Sequence, residues 1–321
     1  IGLTLLLISQ ISLQPFSLNA LYFLFACLFI ANLFAATQDI AVDGLGVESL
    51  TLYERGTANG LQVAMYRMGG ITGGGLTMLM LSWISWQAAF IFLAMLALLT
   101  CIPIYRHPEP KTLPVHARTQ SFRQIYAGFF NRPGMLAWLA VLLLFRAGHS
   151  FGTSMEKPFL VDNGLTLADI GLLSGIFGLV ASVIGAIFGG FMINQFGRLR
   201  MLTCFILLQT FALCLYSYLG DGLGRQWLYV IPVFEHAVGG MATAALFTVA
   251  MDVSRREHAG SDYTIQASLA LLITGLFQLG SGFSAHYLGY SNHFKLAALL
   301  ALLTLIPVYL WSRTREKYDV E

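Results

Sequence analysis

Apolar runs of membrane length, separated by short polar turns, organise this chain of 321 residues. A bilayer-crossing helix needs about 20 mostly apolar residues, because the hydrocarbon core is about 30 Å thick and a helix rises about 1.5 Å per residue. By that ruler Ile1–Ile11 is the tail of one span, interrupted by the polar stretch Ser12–Pro15. Full spans are predicted over Leu18–Val47, Thr57–Leu81, Gln87–Tyr105, Gly134–Leu160, Asp169–Phe196, Met201–Leu219, Trp227–Met251, Ser261–Leu288 and Phe294–Trp311. Trp83 to Trp86 makes an aromatic turn of the kind found at a bilayer surface. Arg106–Arg132 is the one long polar stretch, rich in proline and arginine and without apolar periodicity, and it reads as a solvated linker.

The pattern divides the chain into a first transmembrane part (1–105), a linker (106–132), a six-helix half (133–313) and a short tail (314–321). Two equal halves would make six plus six, the plan of pseudo-symmetric secondary transporters with a binding site between the halves. On that plan about two and a half helices would precede Ile1, which opens inside an apolar run without the charged start of a signal peptide.

Composition sharpens this reading. The chain is 57% hydrophobic and 11% charged, against about 25% charged in soluble domains. A net charge of +2, with no basic run and no zinc spacing, sets nucleic acid aside. The four cysteines stand singly in apolar segments and read as small buried hydrophobes. Alternate loops carry 13 Lys/Arg on one side and 3 on the other (Lys157, Arg225, Lys295), which predicts that the linker and the C-terminus are cytoplasmic. No nucleotide-binding or metal-ligand motif is present, so no cofactor is expected and the proton gradient is the expected energy source.

Ionisable residues inside membrane helices are rare, and by default they mark a solute or proton path. Asp39 and Asp43 share a helix face at i,i+4 spacing, with Gln38 beside them. After the charged hinge Glu54-Arg55-Gly56 come Gln62, Tyr66 and Arg67, then the glycine cluster 69–75, which permits close helix packing. Further along stand Arg146, His149 and the pair Glu235-His236. Arg67 is expected within reach of Asp39 or Asp43, as a proton-controlled switch or as a static strut. His149 reads as a proton relay or as hydrogen-bonded scaffolding. Glu156-Lys157 reads as an exposed pair at a helix end, and His258 and Asp262 as loop surface. An intramembrane enzyme would need a nucleophile–base set or metal spacing that the dispersed histidines do not supply, and a non-transporting sensor would have lost the cavity charges.

Gly190, Asn194, Gly197, Arg198 and Arg200 resemble the loop signature of the major facilitator superfamily, with Asn194 where that family usually has aspartate. Thr37–Asp43, Glu54-Arg55-Gly56, Tyr66-Arg67 with Gly69, and Phe234-Glu235-His236 with Gly239-Gly240-Met241 resemble its AmpG-related branch. That branch includes muropeptide permeases, acetyl-CoA transporters and siderophore importers of the RhtX and FptX kind. The resemblance implies an all-α inner-membrane permease of the major facilitator fold, not an enzyme, working as a monomer in the lipid bilayer on an anionic small molecule. Asp43-Gly44-Leu45 and Ala259–Gln266 lean toward the siderophore importers, with a muropeptide or acetyl-CoA-like substrate as the alternative. The implied cavity residues are Gln38, Asp39, Asp43, Arg146, His149, Glu235 and His236, with Asp39 or Asp43 carrying the proton and Arg67 and Arg146 recognising the anion. The implied cytoplasmic gate adds Glu54, Arg55, Asp252, Arg255 and Arg256 to the loop residues.

Overall fold

A computed structural model describes residues 1–11, 17–106, 121–222 and 224–318, and every element in it is helical. The first part comprises α1 (Gly2–Ser9), α2 (Leu18–Ser49), α3 (Leu52–Gly70), α4 (Thr77–Trp83), α5 (Trp86–Leu99) and α6 (Cys101–Arg106). A π-helical turn, Ile71–Leu76, joins α3 to α4 into one rod. After α7 (Phe122–Phe130), the second part runs through α8 (Met135–Thr153), α9 (Glu156–Asp162), α10 (Leu167–Ile170), a second π-helical turn (Gly171–Phe177) and α11 (Gly178–Phe196). It finishes with α12 (Arg198–Gly220), α13 (Trp227–Val253), α14 (Ala259–Leu303) and α15 (Leu305–Tyr318).

Among the described residues, seven stretches are long and apolar enough to cross a membrane, among them Leu18–Ser49, Met135–Asp162 and Trp227–Val253. The last of them, Arg256–Thr314, has 59 residues, too many for one crossing. It breaks at Gly289, whose φ of 76° no side-chain-bearing residue adopts easily. The α3–α4 rod (Leu52–Trp83) is as long as Leu18–Ser49 but more polar. All nine full spans predicted from the apolar runs are therefore present as helices, and the second part holds six of them. Glycine also makes the turn from α11 to α12, where Gly197 has φ 89°.

One departure falls in the expected linker. Residues 107–120 lie outside the described ones, but Ser121 begins a helix instead of solvated coil. Its side chain accepts from the Gln124 amide while the Gln124 side chain accepts from the Ser121 amide. Phe129, fully buried, anchors α7 to the bundle. Ile125 and Phe129 form the apolar i,i+4 pair that a count dominated by proline and arginine hides.

The two parts touch at one end and part at the other. Near the arginine-rich loops, α2 packs on α14, and α3 packs on α11 and α13. The approaches are backbone to backbone. A Cβ on Gly44 would stand 3.2 Å from Gly260 Cα, one on Gly60 2.6 Å from Ala186 O, and one on Gly190 2.9 Å from Gly60 Cα. Further along the same helices, Gly69, Gly70, Gly73, Gly74 and Gly75 have open space around them, as do Gly171, Gly175, Gly275, Gly280 and Gly282. Both π-helical turns carry glycines with open space around them, and such turns are often found at functional sites.

This geometry makes a direct prediction. Gly60→Val and Gly190→Val should each cost about 1–3 kcal/mol by overpacking, read as a lowered Tm in detergent, while Gly73→Ala leaves Tm unchanged. Equal losses at all three positions would contradict the one-ended contact.

Candidate functional site

At the arginine-rich end, the carboxylate of Asp252 on α13 holds two guanidinium groups at once. Arg55 Nη1 on α3 lies 3.2 Å from Oδ1, and Arg198 Nε at the start of α12 lies 2.9 Å from Oδ2. Arg55 is 3% exposed, so its charge needs this partner. It also donates to Met251 O (3.0 Å) and Val47 O (2.9 Å), tying α2, α3 and α13 together. Arg198 donates in addition to Leu52 O and to Asn194 Oδ1. Asn194 Oδ1 accepts the Gly56 amide at 3.1 Å, and its Nδ2 donates to Thr57 Oγ1 at 2.9 Å. An amide does here what an aspartate could not, because it accepts from one group of the opposite part while donating to another.

Deeper in the second part is a buried polar chain. Glu235 on α13 is 1% exposed; its Oε1 is 3.5 Å from His149 Nδ1 on α8, and its Oε2 is 3.5 Å from His236 Nδ1. The other ring nitrogen of His236 is 3.6 Å from Glu156 Oε1 on α9. Ser174 Oγ donates to Glu156 at 2.8 Å and Gln209 Nε2 to Glu235 at 2.9 Å. Pro232, one turn before Glu235, removes a backbone donor from α13 beside this chain. Below the cluster, Arg146 donates from Nε to Thr274 Oγ1 at 3.2 Å. Arg67 of the other part lies within electrostatic range of Arg146, His149 and Glu235.

Several expectations need correction. Arg67 does not pair with Asp39 or Asp43; Asp43 instead accepts from Gln62 Nε2 at 2.9 Å, and Arg67 faces the second part. Gln38 and Asp39 are exposed on α2 without a hydrogen-bond partner among the described residues, and Tyr66 is 81% exposed. Glu54 does not bridge the parts but caps α3, accepting from the Thr51 amide and hydroxyl. Asp252 pairs with arginines distant in sequence rather than with Arg255 or Arg256. Arg255 forms a bidentate pair with Asp262 (2.7 Å to each oxygen), which holds its guanidinium above the usual value. Asp262 and His258 are therefore buried rather than loop surface. Arg200 and Arg256 stand exposed and join no such contact. Glu156 is 3% exposed and is not a surface pair with Lys157. Sequence reasoning missed it, together with Ser174, Gln209 and Tyr216; the one available signal was a glutamate inside the apolar flank of a predicted span.

Fold and site define a multi-pass membrane protein whose two helical parts meet across an arginine–aspartate lock at one end, the second part holding buried acids and histidines. Residues 1–160 and 150–321 match the Major Facilitator Superfamily, and the chain belongs to that family, in its AmpG-related branch. It is 28% identical over 290 residues to the anhydromuropeptide permease of Escherichia coli K12, covering 85% of this chain and 57% of the permease. The chain thus spans little more than half the length of that relative. A Rickettsia felis protein named transporter AmpG 4 is 24% identical over 305 residues, covering 92% of this chain and 73% of its own length. The fold is similar to that of the Escherichia coli fucose:proton symporter (TM-score 0.74, 14% identity, 97% of this chain and 82% of that one). It is also similar to a bacterial homologue of the iron transporter ferroportin in an outward-facing state (TM-score 0.67, 15% identity, 92% and 73%). The Escherichia coli relative is named for muropeptides and neither relative for siderophores, so the expected lean toward siderophore importers draws no support from them.

Removing the shared carboxylate tests the lock. Asp252→Asn leaves Arg55 buried without a counter-charge, a change that costs about 3–5 kcal/mol when a buried pair is broken. A cysteine at Val63, 7% exposed in the contact region, should then react with an impermeant maleimide at least tenfold faster. An unchanged labelling rate would show that the lock does not hold the two parts together.

Proposed function

We propose that the protein is a proton-coupled secondary transporter of the inner membrane that imports an anionic peptidoglycan fragment of the muropeptide class. The observation that carries this reading is the pair Arg67 and Arg146. They stand on different parts within electrostatic range of each other, both half-buried, and among the described residues neither forms an ion pair with a carboxylate. A buried cation without a counter-charge is costly, and an arriving anion supplies one. A muropeptide carries carboxylates that fit such a pair, and guanidinium groups bind carboxylates through paired hydrogen bonds. The name of the Escherichia coli relative supports the muropeptide over a siderophore or an acyl-CoA.

The excess of Lys/Arg on one set of loops makes the locked end cytoplasmic. The arrangement is then open to the outside, ready to receive solute, and rocking of the two parts delivers it inward. Asp43, held by Gln62, is the acid of the first part placed to take up a proton.

Uptake in proteoliposomes carrying the protein with both six-helix halves tests this. With an imposed pH gradient, labelled anhydromuropeptide should accumulate and an uncoupler should abolish the accumulation. Arg67→Ala and Arg146→Ala should each raise KM about 10–100-fold, the equivalent of losing a charged hydrogen bond of about 1.5–3 kcal/mol. Uptake indifferent to the gradient, or arginine variants with unchanged KM, would sink the proposal.

A further inference from the structure

The second part contains a titratable chain that anion recognition does not require. Imidazole and carboxylate alternate along it, in the order His149, Glu235, His236, Glu156, with successive contacts of 3.5, 3.5 and 3.6 Å. Each inner member uses two different atoms for its two neighbours. Glu235 offers Oε1 to one histidine and Oε2 to the other, while His236 offers Nδ1 to one carboxylate and Nε2 to the other. The carboxylates are the buried members, and the histidines are half-buried, with side chains 15% and 26% exposed. No lysine or arginine lies within ion-pair distance of either carboxylate among the described residues. Two buried, uncompensated carboxylates cannot both stay ionised at low cost.

Two further observations point to an occupant. Gln209, 0% exposed, leaves its Oε1 without a hydrogen-bond partner beside the chain, and His236 Nε2 has none either. Tyr216 faces Glu156 and Glu235, and Gln209 already donates to Glu235. Glycines keep the space around the rings open. A Cβ on Gly239 would stand 3.3 Å from His149 Cε1 and 3.5 Å from Glu235 Oε1, and one on Gly178 would press into the His236 ring, 2.6 Å from Nε2.

We propose that Glu156, His236 and Glu235 form a proton-binding site within the second part, loaded from the cavity through the half-buried histidines, with Glu156 as the acceptor at the end of the chain. This rests on the proposed proton-coupled transport and locates a proton-carrying group of that cycle outside α2. A proton reaches one carboxylate through His236, which accepts it on one nitrogen and releases a proton from the other. Every transfer breaks one N–H or O–H bond and forms another, and the chain ends one proton richer. The groups facing the site are Arg146 and His149 from α8, Ser174 from the π-helical turn, Gln209 and Tyr216 from α12, and Arg67 from α3. An anion bound between Arg67 and Arg146 removes their repulsion of a proton on this chain. Solute and proton thereby favour each other's binding, as symport requires.

Infrared difference spectra of the purified 321-residue protein in lipid vesicles, recorded across a pH titration, test the site without any transport. A protonated-carboxyl band should appear on acidification. Glu156→Gln and Glu235→Gln should each remove part of it. Gly178→Ala, which displaces His236 and keeps every titratable group, should turn one coupled transition into two separate ones. A band unchanged in Glu156→Gln, or no band at all, overturns the proposal. Where Glu156→Gln does not fold, Ser174→Ala must alter the band instead. In the transport-competent protein, Glu156→Gln should lose gradient-driven accumulation and keep solute counterflow; accumulation at the wild-type level overturns the proposal. A titrating band without gradient-driven uptake in the wild type would defeat the transport reading and leave the proton site standing. Uptake without such a band would do the reverse.

Discussion

One carboxylate, Asp252, decides which end of this molecule is shut. It sits at the end of α13 and neutralises Arg55 of the first part and Arg198 of the second. The glycine-to-backbone contacts around it bring the helices so close that no side chain fits between them, and small residues serve this purpose generally where lipid provides no hydrophobic drive for helix association. Neither feature works alone. The close approach lets the guanidinium of Arg55 reach carbonyls of α2 and α13, and the charge pair keeps the backbones in contact. The contacts are discrete, and packed interfaces of that kind switch between arrangements rather than deform continuously.

From that closed end the rest of the arrangement follows. The helices diverge beyond Gly60 and Ala186, and the polar side chains that would be costly against lipid line the interior instead. Arg67 and Arg146 approach from opposite parts, and the acid–histidine chain lies behind them in the second part. Phe25, Phe29 and Leu33 on α2 and Leu272, Leu279 and Phe283 on α14 are exposed, large and apolar, and suited to acyl chains. In the proposed cycle, a binding region between two rocking units with protons bound behind it would move an anion against its gradient.

How much of this was legible in the sequence depended on the range of the interaction. Spans are set by local apolar length, so Leu18–Val47 or Trp227–Met251 could be drawn within a few residues of the helices found. Rare charges in apolar surroundings stood out as well: Arg67, Arg146, Glu235 and His236 all lie where the two parts face each other or in the buried chain. Pairings were not legible, because they join residues far apart in sequence. Arg55 and Asp252 are one example, and chain proximity suggested Arg255 for Asp252 when Arg255 belongs to Asp262. Glu156 looked like surface because an adjacent lysine and proline suggested a helix end. The chain does break there, but the break turns the carboxylate inward, toward Ser174 and His236.

The central claim is that solute and proton release the lock while closing the opposite end. Pulsed electron resonance distances between spin labels test it most directly, with one pair at Tyr53 and Phe196 beside the lock and another at Met78 and Leu172 at the open end. On adding anhydromuropeptide at acidic pH, the first distance should lengthen and the second should shorten in the same population. Two distances that stay fixed, or that move in the same direction, would contradict the account.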